Sequence, residues 1–113
     1  MAGKFQLKMS KNGKFHFNLI ATNGQIILSS EMYESRAKAL NGIESVKKNA
    51  VREGGFERLV SEKGQPYFVV KSSNGQVVGK SQMYASASTC ARGVASVTKN
   101  APVATTDDQT EAK

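Results

Sequence analysis

The 113-residue chain carries 16 Lys and Arg against 9 Asp and Glu, a formal net charge of +7. That length allows one domain with a modest core and excludes two ordinary ones. No apolar run approaches the roughly 20 residues that cross a bilayer, and a single cysteine, Cys90, excludes an intramolecular disulfide framework.

Phe5, Leu7 and Met9 alternate with Gln6 and Lys8, which predicts a half-buried first strand. Ser10-Lys11-Asn12-Gly13 reads as a turn. Beyond it Phe15, Phe17 and Leu19 alternate with His16, Asn18 and Ile20 in a second strand. Asn23-Gly24 predicts a tight hairpin whose two central residues both take positive φ, and Gln25 to Leu28 returns as the third strand. The period then changes. From Ser35, an N-cap residue type, Ala39, Leu40, Ile43, Val46 and Ala50 recur at three- and four-residue spacing, the mark of one helix face. Gly42 lies mid-helix, where glycine costs about 1 kcal/mol relative to alanine; close packing against that backbone is the expected compensation.

The same order returns with strands at 56–60, 67–71 and 76–79, Pro66 standing just ahead of the middle one. A second helix starts at Ser86 and turns Cys90, Ala91, Val94 and Val97 to one side, with Gly93 in its middle. Residues 103–106 suit a short closing strand. The polar, acidic stretch 107–113 is expected to be a disordered tail.

This return is a duplication. A shift of 51 positions superposes 3–50 on 54–101 without a gap: Phe5/Phe56, Gly13/Gly64, Phe17/Phe68, Asn23-Gly24-Gln25 with Asn74-Gly75-Gln76, Met32-Tyr33 with Met83-Tyr84, Ser35/Ser86, Gly42/Gly93, and Lys48-Asn49-Ala50 with Lys99-Asn100-Ala101. Two units are too few for a solenoid. The expected fold is α+β: two tandem β-β-β-α(-β) units in one pseudo-two-fold domain over residues 1–106, an antiparallel sheet with both helices on one face.

The segments Asn-Gly-Gln-Ile-Ile, Met-Tyr-x-Ser and Gly42-Ile43-Glu44-Ser45-Val46-Lys47-Lys48-Asn49-Ala50 resemble the YegP-like family of small uncharacterised bacterial and archaeal proteins, in its tandem-duplicated form. The resemblance spans residues 3 to about 106 and implies units that merge into one sheet by exchanging C-terminal strands. On that pattern Phe56–Val60 serves both as the strand after the first helix and as the opening strand of the second copy, while 103–106 closes the far side. The family supplies no activity, cofactor or catalytic residue to carry over. Two departures, Arg58 at the position of Leu7 and Gly79 at that of Leu28, point to weaker burial in the second copy.

Groups for chemistry are scarce. His16 alternates away from the Phe15/Phe17 side, its counterpart is Tyr67, and a surface role is expected. Cys90 aligns with Ala39 on a buried helix side and suits a small core residue better than a reactive thiol. One His and one Cys in different copies give no metal-ligand spacing, and neither a catalytic triad nor a phosphate-binding glycine loop is spelled out. Tyr33 and Tyr84 are expected to pack at the strand-to-helix junctions. No catalytic residue, metal site or cofactor is expected, and the chain does not read as an enzyme. The N-terminal residues lack the apolar stretch of a secretory leader, so a soluble cytoplasmic protein is the expectation.

What remains is surface. Residues 1–50 hold eight Lys or Arg and three acids, 51–101 seven and three, and 102–113 one and three, giving +5, +4 and −2. Such a balance serves solubility when the lysines are scattered, and it raises affinity for polyanions. If both helices cover the Phe-lined side of the sheet, the other side presents Gln6, Lys8, His16, Asn18 and Ile20 from the first copy, with Tyr67, Val69 and Lys71 from the second. This candidate surface suits a protein partner or self-association. The alternative is single-stranded nucleic acid, which stacks bases on exposed aromatics; only Tyr67 and His16 qualify. A function shared by both copies would have to use shape and the polar Asn-Gly-Gln and Lys-Asn positions.

Overall fold

The computed structural model describes residues 3–52 and 54–108. The strands β1 (Lys4–Met9), β2 (Phe15–Ile20) and β3 (Ile26–Ser29) precede helix α1 (Arg36–Asn49). The second unit supplies β4 (Phe56–Val60), β5 (Pro66–Lys71), β6 (Val77–Lys80) and helix α2 (Ala87–Asn100). A 3-10 turn, Ala101–Val103, leads to β7 (Thr105–Asp108). The strands form one sheet in the order β4-β5-β6-β3-β2-β1-β7. The two units join at its centre through the single antiparallel pair Ser29↔Lys80.

Helix starts follow the sequence. The Ser35 side chain accepts the Lys38 N–H at 3.1 Å, and Ser86 accepts that of Thr89 at 3.2 Å inside a reciprocal capping box. Each satisfies a donor that helix geometry leaves unpaired. At the helix ends Asn49 and Asn100 are buried and donate back to the Ser45 and Ser96 carbonyls at 2.7 and 2.8 Å. The Asn100 side-chain Oδ1 also accepts the Gly3 N–H at 3.1 Å, fastening the start of β1 to the end of α2. The repeated Lys-Asn-Ala is therefore a helix-terminating device rather than a surface motif.

One apolar cluster holds both units. Phe5, Phe17, Leu19, Ile43 and Val46 from the first meet Phe68, Val70, Cys90 and Val97 from the second, all buried. Phe17 meets Phe5 edge-on at 5.7 Å and stacks on Tyr33 at 6.2 Å. Phe68 repeats this with Phe56 at 5.7 Å and Tyr84 at 6.1 Å. The tyrosines explain the mid-helix glycines, since the hydroxyl end of each ring occupies the space a Cβ would need. A Cβ on Gly42 would fall on the Tyr33 hydroxyl and 2.8 Å from its Cζ; on Gly93 it would fall on the Tyr84 hydroxyl and 2.6 Å from Cζ. Gly93→Ala should destabilise by about 1–3 kcal/mol from overpacking, despite the gain of about 1 kcal/mol in helix propensity. Urea unfolding of Gly93→Ala with and without Tyr84→Phe checks the cause: removing the hydroxyl should recover part of the loss. A Gly93→Ala protein as stable as the parent would refute it.

Several expectations are corrected. The sheet is mixed rather than antiparallel, because β7 runs parallel to β1 in the register Lys4↔Thr105 to Leu7↔Asp108. That strand spans 105–108 instead of 103–106, since Pro102 favours the first turn of a helix and 101–103 coil accordingly. Asp107 and Asp108 thus belong to the sheet, held by Lys4 at 3.5 Å and by the Arg36 Nε at 2.7 Å; residues 109–113 of the expected tail lie outside the described residues. Pro66 is the first residue of its strand, not a residue before it.

The hairpins also differ from expectation. Among the described residues, none other than glycine has positive φ. In the Ala21–Gln25 loop the Gly24 N–H donates to the Ala21 carbonyl and the Ala21 N–H to the Gln25 carbonyl, both at 2.9 Å. This is a three-residue loop with glycine alone in the left-handed region, φ 85°. The loops at Ser10–Lys14, Ser61–Gln65 and Ser72–Gln76 close the same way.

Both departures from the repeat have local causes. Arg58 is exposed because β4 lies at the sheet edge. Gly79 is buried, contrary to expectation, because Leu28 of the other unit fills its space: a Cβ there would lie 2.6 Å from Leu28 Cδ2.

Candidate functional site

The candidate surface forms as one face of the sheet. Both helices pack on the side of Phe17 and Phe68, and alternation sends the residues between them to the other side. Strand register then lays a continuous row across all seven strands: Asp107, Gln6, Asn18, Ser29, Lys80, Val69, Glu57. Lys8 stands opposite His16, Tyr67 opposite Leu59, and Ile20 lies between Lys4 and Ile26. Lys71 pairs with Val77. Of the seven residues singled out from the sequence, all therefore share this face.

They do not contribute equally. Val69 is 5% exposed, between Glu57 and Lys80, so its expected role as a contact residue is corrected: it supports its neighbours. Tyr67 is half-buried, and the Lys80 ammonium lies 5.2 Å from its ring centroid, a cation–π contact that occupies the ring. Asn18 accepts the Ser29 hydroxyl at 2.8 Å. Lys71 is tied to Glu57 at 3.1 Å. His16, Ile20 and Lys8 are half-buried.

Among the residues of this face that escaped the sequence reading are Ser29 and Lys80 at the junction, and the exposed Ile26 and Val77. Ile26 and Val77 occupy equivalent places after the two Asn-Gly-Gln turns, which was the available signal. With Ile20 they make the face partly apolar. A shallow depression of about 330 Å³ opens at the β3/β6 seam between Ile26, Leu28, Val77 and Lys80.

The Asn-Gly-Gln turns point to a second place. A cleft of about 680 Å³ lies between α1 and the β5–β6 turn of the other unit, lined by Tyr33, Lys38, Asn41, Ser45, Asn74 and Gln76. The equivalent place between α2 and the β2–β3 turn is smaller, about 320 Å³, and more basic through Arg92 and Lys99. The turn asparagines are engaged locally, since Asn23 and Asn74 accept the N–H groups of Gln25 and Gln76 at 3.0 and 3.1 Å. Burial raises the Tyr33 and Tyr84 hydroxyl pKa, with Glu31 adding to it for Tyr33 and the Cys90 thiol for Tyr84. Both phenols stay protonated at neutral pH and are suited to packing rather than to proton transfer.

Among the described residues no three His, Cys, Asp or Glu side chains cluster as metal ligands, and Cys90 is a buried free thiol. No described helix is long and apolar enough to cross a membrane. The molecule is thus a duplicated α+β chain with a bare sheet face. The family model described as "Domain of unknown function (DUF1508)" matches it twice, at residues 10–54 and 61–108. The chain belongs to this family.

A UPF0339 protein of Pseudomonas aeruginosa is 52% identical over 109 residues, covering 96% of this chain and 99% of the relative. The UPF0339 protein YegP of Yersinia pestis is 51% identical over 98 residues, 87% of this chain and 88% of its own. The solution NMR structure of yegP from E. coli, a protein of unknown function, matches with a TM-score of 0.93 at 42% identity, covering 100% of this chain and 97% of that one. The YegP-like resemblance read from the sequence is therefore correct, and the family's function is uncharacterised.

Proposed function

We propose that this chain is a non-enzymatic binding module that engages a protein partner through the open sheet face, the two repeats of residues 1–106 acting as one approximately two-fold domain in the cytoplasm. The observation that carries this reading is the seven-strand row from Asp107 to Glu57, flanked by exposed Ile26 and Val77 and covered by no other described element. An open sheet face that mixes apolar and charged groups is a surface that association stabilises.

The candidate contact residues are Lys8, His16, Asn18, Ile20, Tyr67 and Lys71, over a support that includes Val69. Single-stranded nucleic acid fits less well, because Lys80 already caps the Tyr67 ring that a base would stack on. Among the described residues no His, Cys, Asp or Glu cluster offers an enzymatic role a place to rest.

Affinity capture from a bacterial lysate, with and without nuclease, tests this. The parent should retain a defined protein that Ile20→Lys/Tyr67→Ala loses at least tenfold, with nuclease making no difference. Equal capture by the variant would remove this face from consideration, and nuclease-sensitive capture would transfer it to nucleic acid.

A further inference from the structure

Among the described residues the sheet has seven strands where its repeat provides for eight. In the first unit β7 lies parallel to β1, outside it. Shifted by the repeat distance of 51, its residues 105–108 correspond to 54–57, which overlap the start of β4. The segment that would lie outside β4 is thus used up as β4 itself. It does serve both as the strand after α1 and as the opening strand of the second unit, but it cannot fill two places. Among the described residues nothing pairs with the outer side of β4, and its Val60 is 68% exposed.

We infer that this empty place is a docking site for an extended segment of a partner protein, added parallel to β4 and carrying a carboxylate opposite Arg58. In the filled place Asp108 stands opposite Leu7 and is bound by the Arg36 guanidinium. In the empty one Arg58 holds the position of Leu7, and Ala87 that of Arg36. The Arg58 guanidinium donates to the Ala87 carbonyl at 2.9 Å, so the cation reaches the same corner from the strand instead of the helix. An arginine there offers a forked, charged donor to an incoming carboxylate. One position earlier the register faces Glu57, so a neutral residue is required where the first unit has Asp107.

A second copy of this chain fits the place poorly. Donating its β7 would open the β1 edge it came from. Pairing β4 with β4 across a two-fold in full overlap would set Arg58 against Arg58, a like-charge pair that destabilises a ladder. The edge stands independently of the open face, because its recognition lies in the β4 backbone and Arg58.

The probe is the synthetic peptide acetyl-Ala-Thr-Thr-Asn-Asp-amide, with acetyl-Ala-Thr-Thr-Asn-Asn-amide as control, titrated into the labelled full chain and followed through backbone amide NMR. The acidic peptide should shift and protect amides of residues 56–60 and leave 4–9 unchanged, and Arg58→Glu should weaken binding at least fivefold, as should the control peptide. Three results would overturn the inference: no shift at 56–60; equal binding of both peptides; or protection at 56–60 that grows with protein concentration and no peptide, which would assign the edge to a second copy. Ile20→Lys, on β2 and remote from β4, should leave the peptide titration unaltered, so a failure of the open-face reading is distinguished from a failure of this one.

Discussion

Phe17→Ala should lower the stability of the chain by about 3–5 kcal/mol, the usual cost of emptying an aromatic site in a packed interior. Phe17 is fully buried, meets Phe5 edge-on and carries the stacked Tyr33 ring. Truncation therefore removes two aromatic contacts as well as the volume, and it leaves the Tyr33 ring without a floor beside Gly42. Domains of this size hold roughly 5–15 kcal/mol in all, so the variant should be near its unfolding threshold at room temperature. Phe68→Ala makes the sharper test. Its ring has the same burial and the same pair of neighbours, Phe56 and Tyr84. If the units share one core, both variants should lose a similar amount, within about 1 kcal/mol, and both should unfold in a single cooperative step in urea. A Phe68→Ala protein that loses under about 1 kcal/mol, or a biphasic unfolding curve in either variant, would mean that the units are stabilised separately.

What the sequence made legible was whatever repeats or alternates. The self-match at 51 positions marks the two units, the phenylalanine alternation marks the core side, and Ser35 and Ser86 mark the helix starts. Lys8, His16, Asn18 and Ile20 follow from alternation alone, and so do Tyr67, Val69 and Lys71. The misses share a physical cause, which is that they depend on partners remote in sequence. Asn-Gly suits both a two-residue and a three-residue hairpin loop, and the choice rests on which backbone pair closes the ladder, here Ala21 with Gln25. Thr105–Asp108 shows no apolar alternation; it is a strand because β1, a hundred residues earlier, offers an edge with Lys4 and Arg36 beside it. Val69 is buried because neighbouring strands supply Glu57 and Lys80. Exposure on a sheet face is decided by the neighbours' side chains as much as by the direction of a residue's own.

Exchanging the residues at one pair of repeat positions should show how far the sequence repeat can be kept at the seam. Leu28 and Gly79 are equivalent in the two copies, yet across the β3/β6 junction they are a single packed pair: Leu28 is fully buried, and a Cβ on Gly79 would meet its Cδ2 at 2.6 Å and its Cγ at 2.8 Å. Two leucines cannot both fit, and two glycines would leave a void. Gly79→Leu should therefore cost about 1–3 kcal/mol by overpacking, and Leu28→Gly more, about 2–5 kcal/mol from the cavity with a backbone penalty added. The double variant Leu28→Gly/Gly79→Leu restores one leucine to the seam from the opposite strand. It should be more stable than the sum of the single losses implies by about 1–3 kcal/mol, the range of coupling for residues in direct contact. Equilibrium unfolding of the four proteins closes the cycle. Additive losses would mean that Leu28 does not occupy the space Gly79 leaves. A recovered double variant would show that the seam needs one large side chain and one small, and is nearly indifferent to which copy supplies each. On that result, Leu28 and Gly79 diverged because the two copies meet there on themselves: a leucine at both positions would collide across the seam.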